Sequence, residues 1–136
     1  GHTPASEPET RIAQGLVDRH RPVGLLDFHT AHYILLKPHR GDEARFAALH
    51  AEINARLKDR YIAQRPYSTE YIQVGFPTMT TWRGAQPSLI FYAAERGTPV
   101  SLLVEMSGNR TDTQALVMNV DTVVEICLAM LQVCLQ

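Results

Sequence analysis

Three features of the sequence predict an α+β fold. Residues 42–63 carry apolar side chains at helical spacing. The middle of the chain is rich in short β-prone runs broken by proline and glycine. Residues 121–135 read as a long, unusually apolar helix. The expected architecture is an antiparallel sheet of four to six strands. Two main helices (about 42–63 and 121–135) pack on one of its faces, and a short N-terminal helix precedes them.

Each element has its own warrant. Residues 1–5 are expected to be a disordered tail or cloning remnant, with a single domain over 6–136. Ser6 stands three residues before Glu9, with Pro8 in the first turn, which marks a helix start. Ile12, Leu16 and Val17 give that helix a thin apolar stripe, and Pro22 and Gly24 end it near His20. Residues 25–37 read as extended, with a strand over 32–37 ended by Pro38. Asp42 caps the next helix, whose positions Phe46, Leu49, Ile53, Leu57 and Tyr61 fall on one face. Glu52 and Arg56 form an i,i+4 pair on its wet side.

Pro66 breaks that helix. Residues 69–76 alternate and are expected to form a strand, as are 78–82. Residues 88–94 and 100–106 are two strands, more uniformly apolar than 69–76 and so expected at the sheet centre, joined as a hairpin through Gly97. Residues 114–120 are a candidate last strand. An antiparallel sheet of this kind leaves its second face wet.

The final helix carries the most information. Among Val123–Leu135 only Glu125 and Gln132 are polar, and with Thr122, Ala129 and Gln136 they recur at three- and four-residue steps. They predict one narrow wet stripe. A surface helix buries an arc of a little over 100°, whereas this one is apolar around most of its circumference. A sheet covers one flank, so the other must meet a further helix or another molecule.

Composition narrows the function classes. The chain has 136 residues, 45% hydrophobic and 20% charged, with a formal net charge of −1. That suits one globular domain and opposes a disordered tail or a dedicated nucleic-acid binder. No run reaches the ~20 apolar residues that span a bilayer, so membrane insertion is not expected. Cys127 and Cys134 lie two helical turns apart, too far for a disulfide. They are expected to be buried thiols, which favours a reducing, cytoplasmic setting.

The densest polar cluster, Asp27, His29, His32 and His39, is a candidate for chemistry. Its spacing matches no metal pattern, and neither a metal nor a cofactor is expected. The strand motif of two-histidine phosphoesterases is absent: Ile34 stands where a hydroxyl is needed, and no histidine follows residue 50. There is no phosphate-binding glycine loop and no Gly-x-Ser-x-Gly elbow. His50, beside the Phe46/Ile53 face, is expected to be a packed, hydrogen-bonded histidine.

The reading that follows is a non-enzymatic interaction or regulatory domain, self-associating through its apolar C-terminal helix as a homodimer. Its candidate interaction residues are Trp82, Arg83, Val124, Leu128, Leu131 and Leu135. The alternative is a small-molecule-binding domain or enzyme with a histidine-containing pocket built on Asp27, His29 and His32.

Overall fold

The computed structural model describes residues 7–30, 34–58, 61–63, 71–73, 76, 79–82, 88–106 and 113–136. Their order is α1 (Pro8–His20), β1 (Gly24–Thr30), β2 (Ile34–Lys37), α2 (Glu43–Leu57), β3 (Tyr61–Ala63), β4 (Tyr71–Gln73), β5 (Met79–Thr81), α3 (Leu89–Glu95), β6 (Val100–Met106) and α4 (Thr113–Cys134). The expected tail at 1–5 lies outside the described residues.

The fold is α+β, but the sheet is mixed. It has four strands in the order β1-β6-β2-β5. β6 is parallel to β1 and antiparallel to β2, and β2 is parallel to β5. The expectation of an antiparallel sheet is corrected because β1 and β2, neighbours in sequence, are separated by β6. The last strand of the chain is inserted between the first two. β3 and β4 form a separate antiparallel pair, and β3 takes the end of the helix expected to reach residue 63.

The segment 88–94 is corrected from strand to helix. Six apolar residues in a row, 89–94, fit either state by periodicity, and tertiary packing decides. Ile90 and Ala93, three apart, are both buried. The helix stops at a Schellman turn: Thr98 N–H donates to the Ala93 carbonyl and Gly97 N–H to the Ala94 carbonyl. Gly97 has φ +88°, so the glycine expected in a hairpin loop terminates a helix instead. Residues 114–120 are corrected from strand to the first turns of α4. Gln114, Ala115, Leu116 and Met118 are good helix formers, and Asp121 lies inside the helix rather than at its start.

Alternation along β6 divides the core in two. Val100, Leu102, Val104 and Met106 face one side, together with Leu35 of β2. Phe46, Leu49, Ile53 and Leu57 of α2 and Ile126, Ala129, Met130 and Val133 of α4 complete that cluster. The two main helices thus share a core against one sheet face. α4 comes close to β1: a Cβ at Gly24 would sit 2.8 Å from both Met130 Sδ and Cys134 Sγ. Phe76 is fixed to α2 by Asn54, which accepts from Phe76 N (2.7 Å) and donates to Phe76 O (3.0 Å). His50 Nε2 reaches the same carbonyl at 2.5 Å, as a packed histidine should.

The second sheet face, expected to be wet, is covered over β1 and β6 because residues 88–94 are helical. Ser101 Oγ donates to Ile90 O at 2.8 Å, and α1 clips onto α3. Asp18 accepts from Tyr92 Oη (2.7 Å) and Arg96 Nε (2.9 Å), while the Arg96 guanidinium lies 4.0 Å from the Tyr92 ring centroid.

The clip makes a pH prediction. The Tyr92 hydrogen bond first, and then the Arg96 guanidinium, hold the Asp18 carboxyl below its ordinary range, and the same bond pushes Tyr92 up. A depressed carboxyl gives stability that is present above its unfolded value and lost as pH falls through its folded one. A raised tyrosine gives stability that is present below its unfolded value and lost as pH rises through its folded one. Thermal melting of Tyr92→Phe across the acid and alkaline arms should therefore show a smaller loss than wild type on each. Unchanged arms would mean that the clip is idle.

Candidate functional site

α4 packs on the core and is also tied to α2 through Arg56. The guanidinium contacts Glu52 Oε1 (2.7 Å) on its own helix, Glu125 Oε2 (3.3 Å) and Gln132 Oε1 (2.6 Å). The Glu52–Arg56 pair is therefore present but is not a solvent ornament, since it reaches across to α4. The expected wet stripe is corrected accordingly. Thr122 and Ala129 are fully buried, and Glu125 is turned to Arg56. The outward direction lies about 100° around the helix from the Glu125 position.

Apolar side chains point outward there. Val117 is 62% exposed, Val120 55%, Val124 47%, Leu128 42%, Leu131 54% and Leu135 78%. Their steps of three and four residues trace one line about 27 Å long at 1.5 Å per residue. The exposed area is of the order of 500–600 Å², the size of the largest apolar patch a monomer usually carries. The only charged residues in Thr113–Cys134 are Asp121 and Glu125, and Glu125 is engaged.

Four of the residues expected to mediate interaction, Val124, Leu128, Leu131 and Leu135, lie on this line. Trp82 is 38% exposed, at the end of edge strand β5, with its N–H on Lys37 O at 2.8 Å. Arg83 lies outside the described residues, so the expected pair is not assembled there. Val117 and Val120 were hidden from sequence reasoning by their assignment to a strand.

A cavity of about 560 Å³ opens beside the line. Its apolar walls are Phe28, Met106, Val120, Val123 and Val124, and its polar ones His29 and Asn119. Asp27 Oδ1 lies 3.0 Å from His29 Nε2. Asp27 and His29 share a side of β1 by alternation, and the register sets His29 beside Glu105 on β6. Glu105 Oε2 is buried without a hydrogen-bond partner. His32 lies outside the described residues. His39 is exposed, its ring centroid 5.6 Å from that of Phe91, and does not line the cavity.

Among the described residues no group of three or more His, Cys, Asp or Glu is arranged to hold a metal ion, and none of their helices is long and apolar enough to cross a membrane. Cys127 and Cys134 are free and half-buried, less enclosed than expected. Burial pushes the Cys134 thiol up, and its Sγ lies 3.5 Å from Val23 O. A smaller cavity of about 230 Å³ is lined by Lys37, Glu43, Phe46, Ala47, His50 and Met79. There Lys37 is already held by Glu43.

Searched against protein families and against curated proteins, the chain matches none.

Arg56→Met keeps the length of the side chain and removes all three contacts. It takes the Arg56 guanidinium away from the mostly buried Glu125 and should cost about 1–3 kcal/mol in urea unfolding. An unchanged midpoint would show that the rotation of α4 does not depend on this network.

Proposed function

We propose that this chain is a non-enzymatic interaction or regulatory domain that self-associates through the outward face of α4. The observation that carries the reading is the line Val117, Val120, Val124, Leu128, Leu131 and Leu135, apolar throughout and exposed along the length of the helix. A second copy is the occupant that suits it. The face offers no cation and few hydrogen-bonding groups, so its partner must be apolar and elongated, and the same line on another protomer is both. In a two-fold contact each residue meets its counterpart's neighbour, and antiparallel helices interleave side chains repeating at three and four residues.

The area sets the strength. Two faces together bury about 1,100 Å², at the low end of specific interfaces. With no buried ion pair to add, the dimer should be reversible, with a dissociation constant on the order of micromolar. Its apolar face then serves concentration-dependent assembly rather than a permanent one.

Sedimentation equilibrium across a hundredfold range of concentration should show a monomer–dimer equilibrium. Leu128→Glu and Leu131→Glu, at exposed positions, should shift it to monomer while circular dichroism and melting temperature stay close to wild type. A wild-type chain that is monomeric at every concentration would overturn self-association. Loss of folding in both variants would overturn the assignment of these side chains to a free surface.

A further inference from the structure

We propose that the free edge of β1 is a second part of the self-association surface: two copies of β1 pair antiparallel across the two-fold axis, Phe28 opposite its counterpart, and join the two four-stranded sheets into one. This rests on the assignment of the α4 face to a second copy and states how that copy seats.

The edge is open and long. Among the described residues β1 pairs with β6 alone, in unbroken register from Gly24 to Thr30, and its backbone has no other hydrogen-bond partner. Its outer side therefore presents a row of unpaired N–H and C=O groups. Proteins blunt such edges with Lys, Pro, a bulge or a very short strand. Gly24–Thr30 has seven residues, with no Lys, no Pro and no bulge. Leu25, Leu26 and Phe28 are half-buried along it.

α4 points to the occupant. Met130 and Cys134 lie against Gly24, and Val120, Val123 and Val124 line one cavity with Phe28. Val120 and Val124 also belong to the exposed line. A body seated on that line from the side away from α2 meets the β1 edge as well. Paired strands lie about 4.8 Å apart, whereas packed helix axes need about 8–10 Å. The buried side chains of α4 share a cluster with Leu102 and Val104 of β6, so the helix lies inside the edge rather than beyond it. One two-fold axis then brings the strands to pairing distance and the helices to packing distance together. An extended peptide would satisfy the edge and leave the α4 line bare, while a second copy covers both.

Charge sets the register. In a two-fold antiparallel pair the faces match only when the axis passes through a residue. Centred on Asp27, it would place like charges directly opposite each other. Centred on Leu26, it would set each Asp27 against Leu25. Centred on Phe28, it sets each Asp27 opposite His29 of the second copy. These two side chains share the sheet face opposite α4 and already meet at 3.0 Å within one strand. Phe28, on the α4 face, meets its counterpart as an aromatic pair. The new main-chain hydrogen bonds replace bonds to water, so they fix orientation more than strength and the dimer stays reversible.

The test is amide hydrogen exchange by NMR on the full chain, comparing wild type with Leu128→Glu at a concentration where sedimentation finds the wild type dimeric. Every second amide of Gly24–Thr30 should exchange at least tenfold more slowly in the wild type. His29→Asp, which sets carboxylates opposite each other twice, should raise the dissociation constant about fivefold. Adding Asp27→His should bring it back within twofold. The exchange comparison needs no change in β1, so it decides the matter even where a β1 variant fails to fold.

A dimer without added protection in β1 would overturn the strand pairing and leave the α4 reading standing. A chain monomeric at every concentration would overturn both. Added protection without rescue by the double variant would overturn the register centred on Phe28.

Discussion

The structure depends on how much of α4 its own chain can cover. The helix is apolar over most of its circumference, and one sheet and one neighbouring helix hide an arc of only about 100°. Whatever the rotation, several large apolar side chains must remain outside. Arg56 decides which ones. By binding Glu125 and Gln132 from α2 it draws the polar stripe toward the helix–helix seam, and the line from Val117 to Leu135 is what is left facing outward. Turning that line inward would separate a guanidinium from Glu125, whose side chain is 17% exposed, and would expose Ile126, Ala129 and Val133 in its place. The exposed line is thus the consequence of satisfying a mostly buried ion pair, rather than a defect of packing.

The sheet explains why local reading reached only part of the fold. The α2 core positions Phe46, Leu49, Ile53 and Leu57, the Asp42 cap, α1 and the strands β2 and β6 were legible because each is fixed by a pattern within its own segment. Asp42 does accept from Arg45 N. Strand direction is not such a property. β6 lies between β1 and β2, and its insertion depends on contacts some seventy residues apart in sequence. α3 shows the same limit from the other side. Its residues Ile90, Phe91 and Tyr92 favour strand, yet Ala93, buried beneath the Schellman turn, fits a helix lying on β6. With that helix in place the second sheet face is covered over β1 and β6, and the wet face expected of an antiparallel sheet is confined to the β5 side.

The candidate site was legible to a similar degree. The greasiness of the last helix was plain from composition, and Val124, Leu128, Leu131 and Leu135 could be named from it. The direction of the exposed face could not, because the polar stripe is the natural guess for the wet side until Arg56 is seen to claim it. His29 and Asp27 were visible as a cluster, but Phe28, Met106 and Asn119 carry no signal of their own. They become cavity walls only through the pairing of β1 with β6 and the crossing of α4 above them.

That pairing also explains why a crevice opens beside the apolar surface of α4. β1 and β6 run parallel in register, so Thr30 and Met106 end side by side. Carboxyl ends of parallel strands are where α/β folds leave crevices, since the chain must depart from both at the same edge. Here α4 spans that edge with Asn119, Val120, Val123 and Val124, roofing the crevice with one flank while its neighbouring flank faces out. The same two valines belong to both flanks. Anything that seats in the crevice therefore touches the helix that would meet a second copy. By reciprocity, an occupant that prefers one assembly state must in turn be bound more tightly by that state. A single helix rotation, set by Arg56, places both surfaces within reach of each other.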